Sequence, residues 1–131
     1  MSDRTIAMIK LEEIRRIAVV GASANRKKWG YKIFKQLLEK GFEVYPINPK
    51  YSEIEGHKCF ANLRSLPVKP DIVIMVVKPN VAKKIVKECY ELGIEKIWFQ
   101  PGSESKEAIE FCERNGLKAI YGQCFLISSL E

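Results

Sequence analysis

Gly21, Ala22 and Ser23 follow an unbroken apolar run, Ile17 to Val20, and are followed in turn by Arg26, Lys27, Lys28 and a second glycine, Gly30. Small residues let a backbone come close to an anion, and a helix that starts nearby presents unpaired N–H groups at the positive end of its dipole. Three cations lie between the two. The stretch is a candidate anion site, and a nucleotide is the expected occupant. A branched side chain at Gly21 is expected to obstruct that anion more than it disturbs the fold, because it would fill the space a phosphate needs.

Four further groups stand where apolar runs end. Asn48-Pro49-Lys50 follows the second run, Val77 and Lys78 close the third, Gln100 to Ser103 follow the fourth, and Gly122 to Cys124 follow the fifth. A dinucleotide fingerprint needs G-x-G-x-x-G and an acid after the second strand to hold the ribose hydroxyls. Here Ala22 and Ser23 fill the space between the glycines, and Lys50 stands in the acid's region. A lysine there favours a ribose bearing a phosphate over the plain ribose of NAD. The pattern G-x-x-x-x-G-K-[ST] is absent, which argues against an ordinary ATPase or GTPase.

The elements that must position these groups are legible from hydrophobic spacing. The unbroken apolar runs Ile17 to Val20 and Ile72 to Val77 read as strands covered on both faces, and shorter apolar stretches flanked by turn residues read as further strands. They fall at Ile17 to Val20, Glu43 to Ile47, Asp71 to Val77, Lys96 to Gln100 and Leu117 to Tyr121. Between them, Ile33, Phe34, Leu37 and Leu38 form one helical stripe, and Val81, Ile85, Val86, Cys89 and Leu92 form another. Ala108, Ile109, Phe111 and Cys112 form a third, with Ser105 placed to cap its start. Residues 1–15 are expected to add a short covering helix, and Tyr51 to Leu66 an irregular excursion with a short helix near Ala61. Strand and helix alternate throughout, so the expected architecture is α/β, a three-layer doubly wound, Rossmann-like sheet of five parallel strands with helices on both faces. The expected strand order is 3-2-1-4-5 or its close relative. Ligands in such sheets lie beyond the carboxyl ends of the strands, where the strand order reverses.

Length and composition bound the function. A chain of 131 residues, 47% hydrophobic, is expected to form one domain over 1–131 with its own core. No apolar run reaches the length of a membrane span, and a cytoplasmic protein with no membrane partner is expected. The formal charge of +6 permits a polyanionic partner. Nucleic acid is disfavoured all the same, since no basic stripe is interleaved with aromatics and no helix-turn-helix is present. Four cysteines without a C-x-x-C pair, and a single histidine, His57, fit neither a zinc site nor a thioredoxin motif.

Taken together, Val-Val-Gly-Ala-Ser, Tyr-Pro-Ile-Asn-Pro-Lys, Val-Val-Lys-Pro, Gln-Pro-Gly and a cysteine after the fifth strand resemble the small coenzyme A-binding domain family. That family is similar to the N-terminal domain of the succinyl-CoA synthetase α subunit. The resemblance implies that CoA or an acyl-CoA is the ligand. It places Gly21, Ala22 and Ser23 around the pyrophosphate with Lys28 and Gly30 nearby, and Pro49 and Lys50 beside the adenosine 3′-phosphate. Val77 and Lys78 then line the adenine side, Gln100 and Gly102 border the pantetheine arm, and Cys124 stands near its thiol end. The expected role is a carrier, sensor or regulatory protein without catalysis of its own, because no acid, base and nucleophile set is evident. An NADP-binding reductase and the CoA-binding half of a two-chain acyl-CoA ligase are the alternatives. The apolar stretch from Phe125 to Leu130 is a candidate contact for a homodimer or a partner subunit.

Overall fold

The computed structural model describes residues 13–122. The expected N-terminal helix falls almost wholly outside them, as do Cys124 and the apolar stretch after it. Five parallel strands form the main sheet: β1 (Arg16–Val20), β2 (Glu43–Ile47), β5 (Ile72–Met75), β6 (Lys96–Phe99) and β7 (Lys118–Ile120). Between β2 and β5, the short strands β3 (Glu53–Ile54) and β4 (His57–Lys58) pair as an antiparallel hairpin. The described residues also form three α-helices, α1 (Trp29–Glu39), α2 (Pro79–Leu92) and α3 (Lys106–Arg114).

The sheet order is β2-β1-β5-β6-β7. Counting its five strands alone, this is 2-1-3-4-5, so of the two orders expected, 3-2-1-4-5 or its close relative, the chain adopts the relative. Pro46 explains part of this order, since a residue without an N–H suits an edge strand, and β2 is the edge. All four residues of β5 are buried, which requires a position with neighbours on both sides. It lies between β1 and β6, with Ile17 opposite Ile72 and Val73 opposite Ile97.

Side chains alternate across the sheet with the strand's period of two, and each set meets its own helices. Ile17, Val19, Ile72, Ile74 and Trp98 pack on one face with Ile33, Phe34 and Leu37 of α1. Ala18, Val20, Val73, Met75, Ile97 and Phe99 pack on the other with Ala82, Val86 and Cys89 of α2 and Ala108 and Cys112 of α3. Full burial of each large apolar side chain is worth about 1.5–3 kcal/mol, which accounts for the unbroken apolar runs in the sequence. Helix α3 begins at Ser105, whose side chain accepts a hydrogen bond from the Ala108 N–H at 3.1 Å.

The excursion from Tyr51 to Leu66 is more ordered than expected. Ile54, Cys59 and Leu63 anchor it by burial, while Glu55 and Gly56 turn the hairpin with positive φ. The short helix is a 3-10 turn at Leu63–Ser65, capped by the Asn62 side chain. Phe60 crosses the edge of β2, donating its N–H to the Pro46 carbonyl and accepting from the Asn48 N–H, both at 2.9 Å. This places residues 60–63 beside the carboxyl end of the sheet.

Candidate functional site

The register brings the ends of the central strands to one level. Val20 stands opposite Ile47 on one side and Met75 on the other, so the loops beginning at Gly21, Asn48 and Val76 leave the sheet together. The order reverses at β1, and the chain opens a crevice there, as doubly wound sheets do. A cavity of about 810 Å³ occupies it. Gly21, Ser23, Lys28, Gly30, Pro49, Lys50, Val77 and Lys78 all line it.

Gly21 has a φ of +96° and donates its N–H to the Ile47 carbonyl at 2.9 Å. A Cβ at this position would lie 2.1 Å from the Val76 carbonyl oxygen. The missing side chain therefore makes room for the neighbouring loop, and the expectation that bulk at Gly21 chiefly obstructs an anion is corrected. Ala22 is fully buried and lies off the cavity wall; its carbonyl accepts the Asn48 side-chain amide at 2.9 Å, tying the first loop to the second. Ser23 is also buried. Its hydroxyl accepts from the Asn25 N–H at 3.0 Å and sits 3.3 Å from the Tyr51 hydroxyl.

Two helices begin at this cavity, and both are headed by lysine. Lys28 is the N-cap of α1 and Lys78 the N-cap of α2; neither has a side-chain cap, and neither first turn holds an acid. A cation at the positive end of a helix dipole is unfavourable by roughly 0.3–1 kcal/mol, the mirror of the gain it has at the other end. An anion placed between them relieves both conflicts and meets the free N–H groups of the first turns. Lys50 is held by the hydrogen bond from its N–H to Asn48 Oδ1 at 2.9 Å. With Lys27, the wall carries four lysines and one carboxylate, Glu88. That carboxylate accepts from the Leu63 N–H at 3.0 Å and has Arg64 at 3.8 Å, so the field of the cavity is positive. Leu63, Val77, Val81 and Ile85 supply an apolar wall on the α2 side.

Gln100 and Gly102 lie away from this wall. Gln100 is buried, its N–H donating to the Met75 carbonyl at 3.0 Å and its carbonyl accepting from the Ser103 N–H at 2.9 Å. Gly102 is exposed and donates to Glu104 at 3.1 Å. This loop is tied to the site through Ser103, whose hydroxyl accepts the N–H of the wall residue Val77 at 3.1 Å. Cys124 lies outside the described residues. His57 packs edge-on against Phe34, with ring centres 5.7 Å apart. Trp29, Tyr51, Leu63 and Glu88 are wall residues that sequence reasoning passed over. Trp29, beside Lys28 in the cationic stretch, was the one with a visible signal.

Burial raises the thiols of the three described cysteines above their usual range. Desolvation is the main cause in each, and it carries Cys112 up to about 12. Among the described residues no cluster of His, Cys, Asp and Glu could hold a metal ion, and no helix is long and apolar enough to cross a membrane.

The sequence profile of the CoA binding domain matches residues 15–129. The chain belongs to that family. It is 34% identical over 121 residues to the α subunit of an ADP-forming acetate–CoA ligase II of Pyrococcus furiosus, a match that covers 84% of this chain and 26% of that subunit. The chain thus spans about a quarter of the length of that relative. A conserved hypothetical protein from Pyrococcus furiosus superimposes with a TM-score of 0.84 and 48% identity, over 87% of this chain and 98% of that one. A hypothetical protein from Pyrococcus horikoshii superimposes with a TM-score of 0.90 and 32% identity, over 100% of this chain and 94% of that one.

Coenzyme A is the cofactor of the family, and the donor set in this CoA binding domain fits it. The ligand carries a phosphomonoester and a pyrophosphate between an apolar purine and a neutral arm. The wall offers four lysines and two uncapped helix starts, with an apolar surface alongside.

Proposed function

We propose that this chain binds coenzyme A or an acyl-CoA in the cavity at the carboxyl end of its sheet and acts as a carrier, sensor or regulatory module. The observation that carries the reading is the convergence of two lysine-headed, uncapped helix N-termini and Lys50 on one crevice with an apolar wall. What CoA supplies when bound is its thiol, the carrier of acyl groups as thioesters. The loop from Gly21 to Ser23, with Lys28 at the N-cap and Gly30 in the first turn of α1, borders the pyrophosphate. Pro49 and Lys50 flank the adenosine and its 3′-phosphate, with Lys50 as the cation for that phosphate. Val77 and Lys78, backed by Leu63, Val81 and Ile85, border the adenine. Gln100 and Gly102 act at one remove, by setting the loop whose Ser103 fixes Val77. Ser23 orders the loop through Asn25 and Tyr51.

Two features of the wall support a binding role. Its one carboxylate is committed to the Leu63 N–H, and its hydroxyls at Ser23 and Tyr51 face each other. A second reading, the CoA-binding half of a two-chain acyl-CoA ligase, draws on the match to a ligase subunit named α. Calorimetric titration with CoA, NADPH, ATP and a generic DNA duplex at one stated salt concentration tests the proposal. CoA should bind tightest. Preference for NADPH or for the duplex would overturn it.

A further inference from the structure

Asn48 follows β2 directly and spends both ends of its side chain on backbone groups of two different loops. Its amide nitrogen donates to the Ala22 carbonyl at 2.9 Å, and its amide oxygen accepts from the Lys50 N–H at 2.9 Å. The two partners settle which end of the amide points which way, since the carbonyl needs a donor and the N–H an acceptor. The main chain of Asn48 is held as well. Its N–H donates to the Phe60 carbonyl at 2.9 Å, and its carbonyl accepts from the Tyr51 N–H at 3.4 Å and the Cys59 thiol at 3.5 Å.

The two side-chain contacts join parts of the site with different tasks. Ala22 belongs to the loop that borders the pyrophosphate, and Lys50 is the cation for the 3′-phosphate. Lys50 is exposed, so where its ammonium can reach depends on the backbone between Asn48 and Lys50. Pro49 between them has a fixed φ, and the bond from Asn48 Oδ1 to the Lys50 N–H closes the remaining freedom as an Asx turn. A long side chain that starts from a fixed backbone has fewer states to give up when it meets a phosphate.

From this arrangement we infer that Asn48 is a positioning residue that sets the spacing between the pyrophosphate loop and Lys50, so that the site selects nucleotides carrying both a 5′-pyrophosphate and a 3′-phosphate. The inference rests on the CoA reading and adds to it the residue that makes two phosphate contacts act as one. Asn48 works through Ala22 and Lys50 and needs no contact of its own with the ligand.

Calorimetric titration of CoA and of dephospho-CoA into wild type and Asn48 variants tests it, with thermal denaturation to show that each variant is folded. The readout is the ratio of the two affinities, which a loss of stability alone would not move. In Asn48→Ala the preference for CoA should fall by roughly 2- to 12-fold, the worth of one hydrogen bond, although Lys50 is intact. Asn48→Gln sets the amide one methylene farther out and should lower the preference in the same way, which keeps the test open if the alanine variant does not fold. Serine offers an oxygen to the N–H two residues ahead but ends one bond short of Ala22. Asn48→Ser should therefore recover most of the preference while binding both ligands more weakly than wild type. Lys50→Ala should cost CoA less in the Asn48→Ala background than in wild type. A preference unchanged in Asn48→Ala and Asn48→Gln, with both ligands weakened equally, would overturn the inference while leaving CoA binding intact. No heat with CoA in wild type would overturn the CoA reading and this inference with it.

Discussion

A Cβ on Gly30 would lie 2.0 Å from the carbonyl oxygen of Gly21, so the first turn of α1 is in direct contact with the turn that ends β1. The two glycines form one packing unit. Gly21 in turn lies against the carbonyl of Val76, so the pair fixes the spacing of the three loops that surround the cavity.

Gly30→Ala should therefore destabilise the protein by about 1–3 kcal/mol, the usual cost of overpacking against backbone that has little room to give. Gly21→Ala should cost more, because it adds an unfavourable positive φ to the same kind of clash. Thermal denaturation should show both midpoints lowered by several degrees, Gly21→Ala the more. Unchanged midpoints would mean that the loops do not pack as described.

Glu55 ties the β3–β4 hairpin to the first loop and to α1. It accepts from the Tyr31 hydroxyl at 2.6 Å and has Lys35 at 3.7 Å and Arg26 at 3.9 Å. The Tyr31 hydrogen bond holds its carboxyl below the usual value of 4.5, helped by the two cations and opposed by desolvation. A folded value below the unfolded one gives stability that is fully present above about pH 5 and is lost as the pH falls through the folded value. In urea titrations, the difference in stability between wild type and Glu55→Gln should be constant from pH 7 to about pH 5.5 and shrink below pH 4.5. A difference unchanged at pH 3.5 would contradict this linkage.

The strands of the main sheet and the faces of α1, α2 and α3 were legible because unbroken apolar runs and helical stripes report burial directly. The choice between the two related strand orders was not. It depends on which strand can give up a neighbour, and the signal, Pro46 inside β2, is a single residue. The hairpin at Glu53 to Lys58 escaped because strands of two residues carry no period. Within the site, Lys28, Lys50 and Lys78 could be read from where apolar runs end. Val81 and Ile85 could not, since a helix shows the same stripe whether it faces core or cavity. Ser103 was hidden because its role is a hydrogen bond to Val77, 26 residues away in the chain.

Cys59, Cys89 and Cys112 are buried with raised pKa values, so thiolate is scarce at each near neutrality. Alkylation of the folded protein near pH 7.5 should leave all three intact. Incubation with oxidised CoA should add one CoA by mixed disulfide, releasing the other half as the free thiol, and intact-mass measurement should show the adduct lost in Cys124→Ser. An adduct that persists in that variant would place the reactive thiol elsewhere.

In the proposed function Lys50 reads the 3′-phosphate of CoA. A phosphomonoester carries about 1.5 to 2 negative charges near neutrality, and a charge-assisted hydrogen bond to it is worth roughly 1.5–3 kcal/mol. Lys50→Ala should then weaken CoA by roughly 10- to 150-fold and make its affinity less dependent on salt. Dephospho-CoA, which lacks that phosphate, should bind the variant and the wild type alike. Calorimetric titration of both ligands into both proteins is the most direct measurement. A loss confined to CoA is the predicted result; equal losses for the two ligands, or none for either, would contradict it.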